Sequence, residues 1–82
     1  MTMLNQLKSG DIARIIDIDC EPEFTKKIIS NGITKGNIIR IISSFGSITF
    51  NVNSRIFSIS KGLGKNVRVI KLIYQHHILK NP

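Results

Sequence analysis

Between residues 48 and 52 the chain reads Ile48, Thr49, Phe50, Asn51, Val52, apolar and polar in strict turn. That is the period of a strand with one face in a core and the other in solvent. Residues 11–18 repeat the pattern, with Ala13 and Ile15 on one side and Ile12, Arg14 and Ile16 on the other, and β-branched side chains dominate the stretch. Three further short stretches complete a set of five predicted strands. They are residues 37–43, residues 55–59 with Ile56 or Phe57 inward, and residues 67–72 with Val67 and Val69 set against Arg68 and Ile70. Only residues 22–31 carry a helical spacing. Phe24, Ile28 and Ile29 recur at four and five, Pro22 suits the first helical turn, and Gly32 stands ready to end it in a left-handed conformation. Leu4 and Leu7, ahead of Ser9-Gly10-Asp11, read as a helical turn or short arm. Turns fall at residues 33–36, at residues 44–47, at Asn53-Ser54 and at the glycine-spaced residues 61–64. Five short strands with turns about every ten residues and one early helix predict a mainly β fold, a small antiparallel barrel.

Eighty-two residues leave room for one core. The domain is expected over residues 1–72, with residues 73–82 as a short polar and apolar tail. No stretch approaches the roughly 18 apolar residues of a membrane-spanning helix, and the N-terminus lacks the apolar centre of a secretory signal. A single cysteine allows no internal disulfide. These features predict a cytoplasmic protein in a reducing compartment.

Charge changes the picture more. The formal net charge is +7, which on its own suggests nucleic acid. It conceals a division: five acids and two bases precede Phe24, while ten bases and no acid follow from there. Glu21 and Glu23 suit the start of the predicted helix and Lys26 and Lys27 its later turns, so the helix dipole accounts for part of the acidic cluster.

The same cluster is a candidate metal site. Asp17, Asp19, Cys20, Glu21 and Glu23 offer carboxylates and one thiol within seven residues. The paired Cys or His spacing of a zinc or iron centre is missing, and Pro22 sits where a calcium loop needs glycine. His76-His77 offers a second pair of ligands without a third. Gly62-Leu63-Gly64-Lys65 lacks the first glycine and the Ser or Thr of a phosphate loop, with Ile59 and Asn66 in those places. No serine lies in a nucleophile-elbow context, and no enzymatic role is expected.

The order of these signals resembles a known family. Leu4, Leu7, Gly10-Asp11, Ala13 and Ile15, then Lys27-Ile28, Asn31-Gly32-Ile33, Gly36, Ile39 and Ile41, then Ile56, Ile59 and Val67-Arg68-Val69 are similar to the pattern of the FeoA domain of bacterial ferrous iron transport systems. The resemblance covers residue 4 to about residue 71, and its specificity lies in the spacing of Gly10, Gly32 and Gly36. Lys27, Asn31, Asn53 and Gly64 depart from the usual arginine, leucine, glycine and alanine, and residues 44–47 lack the proline-flanked turn common in the family. The resemblance implies an SH3-like barrel with one short helix after the first strand. It also implies a small cytoplasmic accessory of FeoB, the GTP-binding permease for ferrous iron, with transient contact with Fe²⁺ at most.

Two readings follow. In the first, the protein is a non-enzymatic adaptor that docks on the cytoplasmic part of FeoB and regulates iron uptake. The residues expected to carry docking are the turn Thr34-Lys35, the hairpin tip Phe45-Gly46 and the basic face of Arg55 and Arg68. Phe45 is either an exposed anchor or a side chain folded over the barrel end. In the second, the basic face of an SH3-like barrel binds nucleic acid or serves transcription regulation, although few aromatics are available for stacking. Open strand edges also allow a homo-oligomer.

Overall fold

The alternating stretches pair into one sheet in the computed structural model, which describes residues 2–72. The elements are β1 (Thr2–Met3), a 3-10 turn (Leu4–Gln6), β2 (Ile12–Ile18), α1 (Pro22–Ser30), β3 (Ile38–Ser43), β4 (Ser47–Val52), β5 (Arg55–Ser60), α2 (Lys61–Gly64) and β6 (Val67–Lys71). The strand order is β1-β6-β2-β3-β4-β5, and every pair is antiparallel. This is the mainly β, SH3-like architecture that the pattern and the resemblance led us to expect.

Two details differ from expectation. The sheet has six strands rather than five, because Thr2 and Met3 pair with Val69 and Arg68. Two residues are too few for an alternation to register. The glycine-spaced segment at residues 61–64 is a helical turn, with Ser60 Oγ accepting a hydrogen bond from Leu63 N at 3.2 Å. That turn closes the barrel: α2 follows β5 at one margin of the sheet and packs on the 3-10 turn that follows β1 at the other.

The core is made by the inward positions of the alternating strands. Ala13, Ile15, Ile39, Ile41, Ile48, Phe50, Val52, Val67 and Val69 are buried. Phe57 rather than Ile56 turns inward from β5, its ring 5.9 Å from that of Phe50, and Ile56 is 68% exposed. Strict alternation along β2 would put Asp17 on the core side with Ala13 and Ile15. A bulge between Ile15 and Asp17 prevents this, since two residues of β2 there face one of β6. Asp17 thereby pairs with the outward residue Arg68, and no charged side chain among the described residues is buried.

Helix α1 starts at Pro22 and ends in a Schellman motif. Ile33 N donates to Ile28 O at 3.2 Å and Gly32 N to Ile29 O at 2.8 Å, with Gly32 at φ 81° and both Ile28 and Ile33 buried. Both isoleucines belong to the core cluster and Phe24 packs against it, whereas Ile29, next to Ile28 and turned to another side of the helix, is left 51% exposed.

Candidate functional site

The strand register separates the sequence-predicted docking residues into two groups at opposite ends of the barrel. One end holds the last residues of β2, the start of β3, the β4–β5 turn and the start of β6. The turn Thr34-Lys35 lies there, because Gly36 N donates to Ile15 O at 2.7 Å and Asn37 Oδ1 accepts from Thr34 N at 2.6 Å. The β4–β5 turn is tied to the same place by Asn53 Nδ2, which donates to Gly32 O at 3.0 Å, and Arg55 opens β5 immediately after it. Arg68 joins them through Asp17, whose carboxylate lies 3.7 Å from Arg68 and 3.6 Å from Lys35. Thus Thr34, Lys35, Arg55 and Arg68 share an end. Phe45 and Gly46, at the tip of the β3–β4 hairpin, do not.

The sequence pattern did not disclose that this end also carries an apolar groove. Ile18, Cys20, Pro22, Thr25 and Ile29 line an open depression of about 630 Å³ between α1 and the end of β2. A smaller one of about 320 Å³ runs on from Ile18, Thr25 and Ile29 to Thr34 and Lys35. Ile18 and Ile29 supply the apolar floor, Lys26 and Lys35 the cationic rim. The half-exposed Ile29 is the signal that was available beforehand, since two apolar residues in succession on a helix cannot both face the same core. Thr25 holds the groove's shape by donating from Oγ1 to Cys20 O at 3.1 Å.

The metal candidates Asp19, Cys20, Glu21 and Glu23 lie beside this groove without converging. Among the described residues, no three His, Cys, Asp or Glu side chains come together as an ion site would require. Asp19, Glu21 and Glu23 are exposed. Burial, and secondarily the charge of Asp19, push the Cys20 thiol above its ordinary range, which disfavours the thiolate that a metal or an electrophile needs. His76 and His77, with the predicted tail at residues 73–82, lie outside the described residues.

Phe45 resolves toward the exposed alternative. It is 96% exposed at the far end, with Gly46 at φ 87° completing the turn. There Asp11 organises the neighbouring loop. Its carboxylate accepts from Lys8 N at 2.8 Å and lies 3.3 Å from Lys71. The backbone bond from Lys8 is the larger cause that holds this carboxyl below its ordinary value, against a smaller opposing effect of burial, and Lys71 adds to it.

A family model for the FeoA domain matches residues 2–71. No curated protein sequence matches the chain. Among solved structures, an iron uptake regulatory protein, FeoA, is 32% identical with a TM-score of 0.77, the likeness covering 87% of this chain and 96% of that one. A FeoA-like protein from Clostridium acetobutylicum is 26% identical with a TM-score of 0.76, covering 94% and 96%. A manganese-dependent transcriptional repressor shares the fold at 20% identity and a TM-score of 0.79, over 85% of this chain and 40% of the repressor.

Proposed function

Because the chain belongs to the FeoA domain family, a family tied to iron transport, we propose that it is a non-enzymatic cytoplasmic accessory of ferrous iron uptake that docks on the cytosolic part of a FeoB-type GTP-binding permease. The docking surface is the end of the barrel that carries the groove. The observation that carries this reading is the meeting of an apolar floor, Ile18 and Ile29, with the cations Lys35, Arg55 and Arg68 at one end. An apolar strip beside fixed positive charge suits a partner segment that is apolar in the middle and acidic at its margin. Asp17 lies within 4 Å of both Lys35 and Arg68, which holds those two long side chains near one geometry before the partner arrives. Less rotamer entropy is then lost on binding.

The test is co-purification of the full chain with the cytosolic domain of the permease, in each nucleotide state and with and without Fe²⁺. A complex that survives about 150 mM salt is expected, because its apolar part is not screened. Ile29→Asp and Lys35→Glu should each weaken it at least tenfold, as a buried hot-spot contact would. No complex under any nucleotide or metal condition removes the mechanism. The likeness to the manganese-dependent repressor, with ten bases from Phe24 onward, supports a second reading as a nucleic-acid-binding module. Retention on duplex DNA that falls steeply with salt, with no complex with the permease domain, would favour it.

A further inference from the structure

The end of the barrel opposite the groove carries a different chemistry. Phe45 stands at the tip of the β3–β4 hairpin, almost wholly exposed, with Ile42 half-exposed just behind it. Two cations flank this apolar tip by register. Lys8 is brought in because Ser9 Oγ donates to Ile42 O and Gly10 N to Ile41 O, both at 2.8 Å. Lys61 arrives because Ser60, the residue before it, pairs with Ser47 at the hairpin's other arm. Among the described residues, neither forms an ion pair. The one acid at this end, Asp11, is taken up by Lys71 and by the backbone of Lys8.

We propose that this tip docks on an anionic phospholipid surface, with Phe45 entering the interfacial layer and Lys8 and Lys61 meeting the headgroups. An aromatic ring aimed outward from a convex turn makes no stacking cleft for a base, whereas a soft apolar layer receives it whatever its orientation. The two flanking cations then add attraction toward a negative bilayer, about a fivefold gain in partition for each basic side chain near the surface. The proposal is independent of docking on the permease through the groove. It uses the other end of the molecule, and its test contains no other protein.

Sedimentation of the full chain is measured with vesicles of phosphatidylcholine alone and with vesicles holding about one third phosphatidylglycerol, at about 0.1 M salt. Binding to the second and not the first is expected. Phe45→Ser should reduce the partition coefficient about tenfold, as loss of a buried aromatic does, and Lys8→Gln and Lys61→Gln about fivefold each. Lys35→Gln, at the opposite end, should leave it unchanged. In Phe45→Trp the indole emission should shift to the blue on adding the anionic vesicles. All the substituted side chains are exposed, so the variants keep the fold. A chain that stays in solution with the anionic vesicles overturns the proposal. So does an unshifted tryptophan, or equal loss of binding from Lys35→Gln, which would show a diffuse charge effect instead. A tip silent toward vesicles but required for retention by an acidic protein would replace the bilayer by a protein surface.

Discussion

Asp11 shows how one side chain ties a loop to a sheet and makes stability depend on pH. Its carboxylate is bonded by the Lys8 amide and faces Lys71, and its carboxyl lies below the ordinary value of 3.8. The folded state therefore favours the ionised form more than the unfolded chain does. The resulting stabilisation is complete above the ordinary value and is lost as pH falls through the lowered one. Asp11→Asn should flatten the dependence of unfolding free energy on pH between about 5 and 3, read from denaturant titrations across that range. An undiminished slope would place the acid sensitivity elsewhere. A second residue-scale prediction concerns Ser54. Asn53 and Ser54 both have positive φ, 51° and 63°, as a two-residue hairpin turn with the sheet's twist demands. Asparagine tolerates this, but serine carries a left-handed cost of about 1–2 kcal/mol. Glycine would relieve it, less its own entropy loss on folding, so Ser54→Gly should raise stability by about 0.5–1 kcal/mol, seen as a melting temperature several degrees higher. Asn53-Ser54 was legible as a tight turn from composition, while the strain at Ser54 required the backbone angles. Phe45 was legible as a residue outside the strand pattern, and its direction required the structure.

The strands were read from alternation because an SH3-like sheet buries one face, and the period-two signal survives wherever a strand exceeds about four residues. It fails for β1, which has two, and at Asp17, where a bulge breaks the period. It also fails at α2, whose two glycines argue for a turn while Ser60 caps a helix. Glycine at position 64 has a local cause. A Cβ there would lie 2.5 Å from Ile48 Cδ1 and 3.3 Å from Asn5 N, so the isoleucine methyl already fills the space that the alanine usual in the family would take. Gly64→Ala should lower stability by about 1–3 kcal/mol through overpacking where α2 closes the barrel. Ile48→Val removes the offending methyl at a cost of about 0.5–1.5 kcal/mol by itself. The double variant should therefore be more stable than the two single losses added together, with a coupling of at least about 0.5 kcal/mol in a double-mutant cycle. Additive losses would mean that the 3-10 turn at Asn5, and not Ile48, sets the spacing.

Across the whole molecule, the groove end and the hairpin end hold separate parts of what the sequence presented as one basic surface. Charge order along the chain was visible from the sequence, but its distribution in space depends on register, which brings Lys35 and Arg68 to Asp17 and, among the described residues, leaves Lys8, Arg40 and Lys61 outside any ion pair. The three ion pairs of the described residues engage only Asp11 and Asp17, and each joins an exposed cation to a partly exposed carboxylate, an arrangement worth about 1 kcal/mol or less. Against them stands the mutual repulsion of the remaining cations in a chain of net charge +7. Such an excess speeds association with acidic partners and at the same time works against the compact state. Screening removes both attraction and repulsion between exposed charges, since the Debye length falls from about 30 Å at 0.01 M salt to about 8 Å at 0.15 M. The repulsive pairs outnumber the attractive ones, so the melting temperature should rise as sodium chloride is raised over that range. A melting temperature that falls instead would mean that the contacts of Asp11 and Asp17 outweigh the sum of the repulsions. The basic surface would then be a stabilising part of the fold rather than charge held at a cost for a partner.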